Sequence, residues 1–272
     1  MSYITYKESR VASIPASPLL RVMKKIVCNS ICGTVISLLL IACPVLYFTV
    51  GPALSGLQIE TLRILLIVAG CSALWCFLVG EISGNNSQMD KLWSILPPVY
   101  MWIIACKSGW NMRLVIMAGI ITAWGMRLTF NFSRRGAYRL KFWEGSEDYR
   151  WSFLRRQEVF KPRWKWVVFD LGFISLYQNL LVLALSLPAL MCQNSTAPFS
   201  LADGVATALM AGFIIFEAVA DEQQWAFQSI KHTMLAQGVK TEDLPAPFCL
   251  GFNTVGLWNH SRHPNYLGEL GV

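Results

Sequence analysis

Charge is scarce in this chain. Asp, Glu, Lys and Arg make up only 14% of its 272 residues, against 54% hydrophobic, which is too apolar for a soluble globular protein and the reverse of a disordered one. Eight cysteines are present, but no two form a CxxC pair and most lie inside apolar runs, where a thiol behaves as a small hydrophobe. A disulfide scaffold and a zinc site are thereby excluded. GxGxxG, the P-loop, HExxH and GxSxG are all missing, so the soluble dinucleotide and hydrolase folds find no support. Of the three histidines, His260 and His263 are neighbours and His232 lies across a polar loop, so no metal site is expected. There is no internal repeat and no low-complexity tract.

What is present is hydrophobic length. Spanning a hydrocarbon core of ~30 Å takes about 20 helical residues, and the charge-poor runs predict six transmembrane helices, at roughly 29–50, 62–80, 92–106, 114–128, 166–190 and 202–220. The third and fourth are short, with 15 charge-free residues from Leu92 to Cys106 and 13 from Leu114 to Met126. Each needs the hairpin between Lys107 and Arg113 to snorkel at the interface. The fold expected is all-α: a polytopic membrane bundle with an interfacial C-terminal turn. It divides into an N-terminal cytosolic segment (1–28), N-terminal transmembrane helices (29–126), a basic cytosolic loop (127–165) and a C-terminal membrane region (166–272).

The 23 Lys and Arg residues give an independent check, because positive loops stay on the cytoplasmic side. With the N-terminus inside, that side holds five before the first span, Lys91 after the second, eleven from Arg127 to Lys165 and three after the sixth. The opposite side keeps only Arg63, Lys107 and Arg113. A formal net charge of +7 therefore reflects topology and attraction to anionic headgroups, not nucleic-acid binding. Trp143, Tyr149, Trp151 and Trp164, mixed among charges, place the 127–165 loop at a headgroup surface.

Ionisable groups at membrane depth are costly, so those retained are the first functional candidates. Glu217, Asp221, Gln224 and Gln228 fall at i, i+4, i+7 and i+11, which aligns them as one polar stripe facing a polar cavity. The alternative is that the helix leaves the membrane near Glu217 and is solvated. On the preceding span Asp170, Tyr177 and Gln178 share a face by the same arithmetic, Asp170 being equally placed for a helix-start or headgroup role. The densest polar and aromatic segment runs from Gly256 to Glu269. Pro264 stops a helix from passing through His263, and a new helix start near Asn265, with Arg262 beside it, suits an anion.

Ser261-Arg-His-Pro-Asn-Tyr-Leu-Gly-Glu269, preceded by Gly256-Leu-Trp258, resembles the C-terminal signature of the steroid 5-alpha-reductase-like membrane proteins. Gly145 to Trp151 and the helix from Asp221 to Gln228 are similar to a branch of unknown function that shares that domain, and the matching motifs cover about residues 85–272. The Arg-His-Pro-x-Tyr core also occurs in sterol reductases and isoprenylcysteine methyltransferases, so it marks the superfamily better than the reaction. The resemblance implies NADPH in a cavity among the C-terminal helices, giving hydride to a conjugated C=C bond of a lipid-like substrate. It implies Asp221, Asn265 and Glu269 as cofactor-binding residues; the rest of the stripe and turn, Glu217, Gln224, Arg262 and His263, joins them as candidates, with Arg134, Arg135 or Arg139 as further phosphate partners. Tyr266 is implied as the catalytic residue that orients the cofactor or polarises a carbonyl. Glu81 is a candidate proton donor, or a simple helix-end charge. The family pattern continues past Gly-Glu with another hydrophobic helix and a basic-aromatic tail, so a chain ending at Val272 is expected to be truncated, an inactive fragment or short isoform. S-adenosylmethionine-dependent methyl transfer and a non-catalytic membrane scaffold are the competing readings. Asn194-Ser-Thr196, a glycosylation pattern in a far-side loop, suits an endoplasmic reticulum lumen, although Asn85, Asn131 and Asn259 match on the cytosolic side. A bacterial inner membrane is the other setting.

Overall fold

Helix α1 (Gly56–Ser83) opens the part of the chain that the structure, a computed structural model, describes: residues 53–272, with Ala42 and Gly51. The cytosolic segment 1–28 and the first expected span, 29–50, lie outside the described residues. On α1 the buried positions Thr61, Leu65, Ala69, Ser72, Cys76 and Gly80 recur every three or four residues and form one inward stripe. Leu66, Ile67, Leu74 and Leu78 face outward.

The short helix α2 (Gln88–Leu92) is separated by a turn from α3 (Leu96–Lys107), which starts where Pro97 and Pro98 occupy a helical first turn. At 12 residues α3 is about 18 Å long. That corrects the third expected span: the prolines divide 92–106, and what remains is too short to cross alone. Instead α3 is a core helix, burying Tyr100, Met101, Ile104 and Ala105 between α4 (Met112–Arg134) and α6 (Arg163–Asn194). Contact with α4 is close enough that a Cβ on Gly125 would stand 2.4 Å from the Ser94 carbonyl oxygen, so only glycine fits.

Helix α5 (Tyr149–Arg155), N-capped by Asp148, carries Trp151 into the interior, 4% exposed, rather than to a headgroup surface. Exposed Trp164 and Tyr149 keep the surface position expected of them. In α6 a π-helical stretch covers Asp170–Tyr177. Helix α7 (Leu201–Ala236) begins with a capping box between Ser200 and Asp203 and runs for 36 residues, about 54 Å. It does not stop near residue 220 as expected. Glu217 is 3% exposed, which rules out solvation there. Helix α8 (Pro264–Gly271), with proline at its first position, packs against α7.

Four helices, α1, α4, α6 and α7, are long and apolar enough to cross a membrane, and no strand occurs among the described residues. The molecule is a helical membrane bundle. Its expected non-cytosolic end is latched by a fork: Arg113 Nε and Nη2 each donate to Asp203 at 2.8 Å. Asn111 binds the Ser195 carbonyl at 3.0 Å, and Lys107 pairs with Glu60 at 2.5 Å.

Candidate functional site

At the other end of α4 the side chains turn polar. Trp124, Arg127, Asn131 and Arg134 follow one another at three- and four-residue steps, which puts them on one face opposite the acidic stripe of α7. Arg127 is the hub. Its guanidinium lies 2.6 Å from Glu217 Oε1, donates to Asp221 Oδ2, and reaches Glu269 Oε2 of α8 at 3.4 Å. Trp124 Nε1 donates to Glu269 at 3.0 Å, and Asn131 Nδ2 to Asp221 at 2.5 Å. Asn265 Nδ2, from the Arg-His-Pro turn, reaches Asp221 Oδ1 at 3.4 Å. The acidic stripe and the turn therefore face one crevice.

Glycine makes the last contact possible. A Cβ on Gly268 would sit 2.7 Å from Glu217 Cβ, so α8 can approach α7 only with that position bare. The segment before α8 is pinned by Gln223, whose Oε1 accepts from Leu257 N at 2.9 Å and whose carbonyl accepts from Asn253 Nδ2 at 3.3 Å. Trp258 Nε1 donates to the Ala220 carbonyl at 2.9 Å.

Two cavities adjoin this cluster, each about 560 Å³. Glu217, Glu269 and Tyr266 line the first, together with Phe173, Tyr177 and Leu181 of α6. Gln224, Trp225, Gln228 and His232 of α7 line the second, with Arg134. Asn131, Arg135, Asp221 and Asn265 border both. Arg134 is packed between Phe130 and Trp225, 4.7 Å from each ring, and pairs with Glu222 at 2.6 Å. Several polar atoms around the crevice are buried without a hydrogen-bond partner: Glu217 Oε2, Gln224 Oε1, Asn265 Oδ1 and the Nε atoms of Arg127 and Arg134.

The far end of the first cavity has a polar group of its own. Asp90 accepts from Trp151 Nε1 at 2.7 Å and faces Arg150 at 3.6 Å, while Arg150 also holds Asp148 at 2.8 Å. Burial pushes the Asp90 carboxyl above its ordinary pKa. Asp148 is buried too, but the hydrogen bonds and charge of Arg150 outweigh that and hold it below. Beside them Lys91 is fully buried, its Nζ donating to the Phe142 and Glu144 carbonyls at 2.5 and 3.1 Å, and burial lowers its pKa.

Of the residues singled out in the sequence, Glu217, Asp221, Gln224, Asn265, Tyr266 and Glu269 are brought to the two cavities. Arg262 and His263 are not. Both are exposed on the turn, where His263 packs against Trp258 and Tyr266 at 6.4 and 5.4 Å between ring centres. Arg139 is exposed and borders neither cavity, and Glu81 pairs with Arg163 at 2.5 Å, away from both. Asp170 parts from Tyr177 and Gln178: it binds Asn86 Nδ2 at 2.8 Å, whereas they line the first cavity. The π-helical stretch explains this, because i→i+5 bonding reduces rotation per residue and a seven-residue step no longer returns to the same face. Trp124 counts in the sequence as an apolar residue of the fourth span, and Arg127 and Asn131 as the start of the basic loop, so none of the three is singled out there, although their spacing continues one helical period.

Fold and site together define a polytopic helical membrane protein with an ion-paired crevice between its central and C-terminal helices. The family described as "Protein of unknown function (DUF1295)" matches residues 76–272, and the chain belongs to it. An uncharacterized protein of Schizosaccharomyces pombe is 33% identical over 233 residues, which cover 82% of this chain and 63% of that relative. The chain thus spans under two thirds of the relative's length. No solved structure matches.

Proposed function

We propose that the protein is a membrane-embedded, NADPH-dependent reductase of a lipid or sterol-like substrate, acting on a conjugated carbon–carbon double bond. The reading is carried by the pair of cavities that share the Asp221–Asn265 wall. One is ringed by arginine, histidine and amide groups that match phosphates and ribose, and the other combines carboxylates with an aromatic and aliphatic flank. The orphaned oxygens fit the cofactor's donors: Gln224 Oε1 and Asn265 Oδ1, on residues that line the second cavity, are acceptors in want of hydroxyl or amide hydrogens. NADPH, when bound, supplies the hydride. The chain's own part is positional: Arg127 fixes three carboxylates, Tyr266 orients the reacting face, and Phe173, Tyr177 and Leu181 exclude water from the lipid. The likeness of the Arg-His-Pro-Asn-Tyr segment to the steroid 5-alpha-reductase-like proteins supports the same reading, and the charge asymmetry with the Asn194 acceptor pattern supports an endoplasmic reticulum membrane.

Titrating the detergent-purified protein with NADPH tests it. Quenching of nicotinamide fluorescence that is saturable and weakened by Asn265→Ala is the expected result. A response to S-adenosylmethionine alone would replace reduction by methyl transfer, and binding of neither cofactor would leave a scaffold.

A further inference from the structure

Arg134 lines the second cavity with its side chain only 15% exposed, and two kinds of contact hold it. The first is firm. Phe130 of α4 and Trp225 of α7 each lie 4.7 Å from the guanidinium, and Asn131 Oδ1 accepts from its Nη2. The second is loose: Nη1 pairs at 2.6 Å with Glu222, whose side chain is 60% exposed and does not border the cavity. A carboxylate so exposed adds little to an ion pair and leaves it easily, because water solvates it once freed. The two rings and the amide keep the guanidinium in place without it.

The cavity itself is short of negative charge. Asp221 is the one acid among its lining residues, and that carboxylate is already engaged by Arg127 and Asn131. Arg135, which also lines it, makes no ion pair among the described residues, and Gln228, Ser229 and His232 bring further hydrogen-bond donors. Glu222 therefore stands outside a basic cavity and engages the charge of one of its two arginines.

We propose that Glu222 sets the phosphate affinity of the second cavity by competing with the guest for Arg134: it pairs with the guanidinium in the free protein and yields it to a phosphate. This deepens the reductase reading, from which it takes the cofactor's phosphate as the guest, while the exchange itself is open to an inorganic anion. Two planar guanidiniums then face the phosphate, where the free protein offers only that of Arg135. Binding is weaker than two unshared guanidiniums would make it.

The test is a calorimetric titration of the full chain in neutral detergent with inorganic pyrophosphate, NADPH binding being measured separately on the same preparations. Glu222→Gln, at an exposed position, should tighten pyrophosphate about twofold to fivefold, the range that an exposed ion pair spans. In an Arg134→Gln background the same change should have no effect, which separates competition for Arg134 from a general gain in positive charge. Pyrophosphate binding that is absent, unchanged or weaker in Glu222→Gln overturns the proposal, as does a tightening that persists without Arg134. A protein that binds NADPH but whose pyrophosphate affinity ignores position 222 defeats the competition and spares the reductase reading; tightening by Glu222→Gln in a protein that binds no NADPH does the reverse.

Discussion

Arg127 holds the site together as a fork among three acids. Glu217, Asp221 and Glu269 would repel one another at this range without it, and its side chain is only 9% exposed. Breaking a buried pair costs about 3–5 kcal/mol because the remaining charge is left uncompensated. Arg127→Gln should therefore lower the melting temperature of the detergent-solubilised protein by many degrees and abolish NADPH binding. Arg127→Lys keeps the charge but loses the planar fork, so part of the melting temperature should return while binding stays weak. A second residue-scale prediction concerns Asp90 and Asp148, which lie outside the membrane-crossing helices. Asp90, raised by burial, favours the folded state most in acid, and that contribution declines as pH climbs through the ordinary carboxylate range. Asp148, held low by Arg150 against its own burial, stabilises the fold above that range, and the contribution is lost on acidification. Melting curves across pH should show Asp90→Asn gaining relative to wild type at neutral pH and Asp148→Asn losing. At this scale the acidic stripe was legible because a period of 3.6 survives in any straight helix. Arg127 was not, since at the border of the fourth span it counts as one more positive charge of the basic loop.

Among the elements, α7 and α8 set the geometry of the crevice by the closeness of their crossing. Gly268→Ala adds a methyl that must displace Glu217, a cost of about 1–3 kcal/mol. It should also move Asn265 and Glu269 away from Asp221, weakening NADPH binding with little loss of helix content by circular dichroism. The same loss from an exposed position such as Leu270→Ala would contradict the crossing. Element boundaries were the least readable feature. Pro97 and Pro98 lie inside the third expected span, and hydropathy alone does not tell that the turns after them become the buried centre of the bundle. The π-helical stretch of α6 is not readable from composition, since its run of Leu, Phe and Ile around one glycine is equally compatible with an ordinary apolar helix.

For the whole molecule, the unequal distribution of basic residues makes a claim about sidedness. Arg113, Lys107 and the Asp203 latch gather at one end, whereas the crevice, α5 and the loop after α7 belong to the opposite, basic end. Cys249, exposed in that loop, should react with a membrane-impermeant maleimide only when the cytosolic face of sealed vesicles is accessible, in a variant with the other cysteines replaced. Labelling from the other face alone would invert the arrangement. Helical class and membrane residence were readable from apolar length, because a bilayer leaves so few alternatives to a polypeptide backbone.

The two chambers do not have separate walls. Asn131, Arg135, Asp221 and Asn265 belong to both, and a hydrogen bond that one occupant draws from Asp221 is no longer offered to the other. Occupancies are thus thermodynamically linked: by whatever factor the first guest alters affinity for the second, the second alters affinity for the first. For the two guests proposed above, that coupling would run through four shared side chains, with no moving domain required.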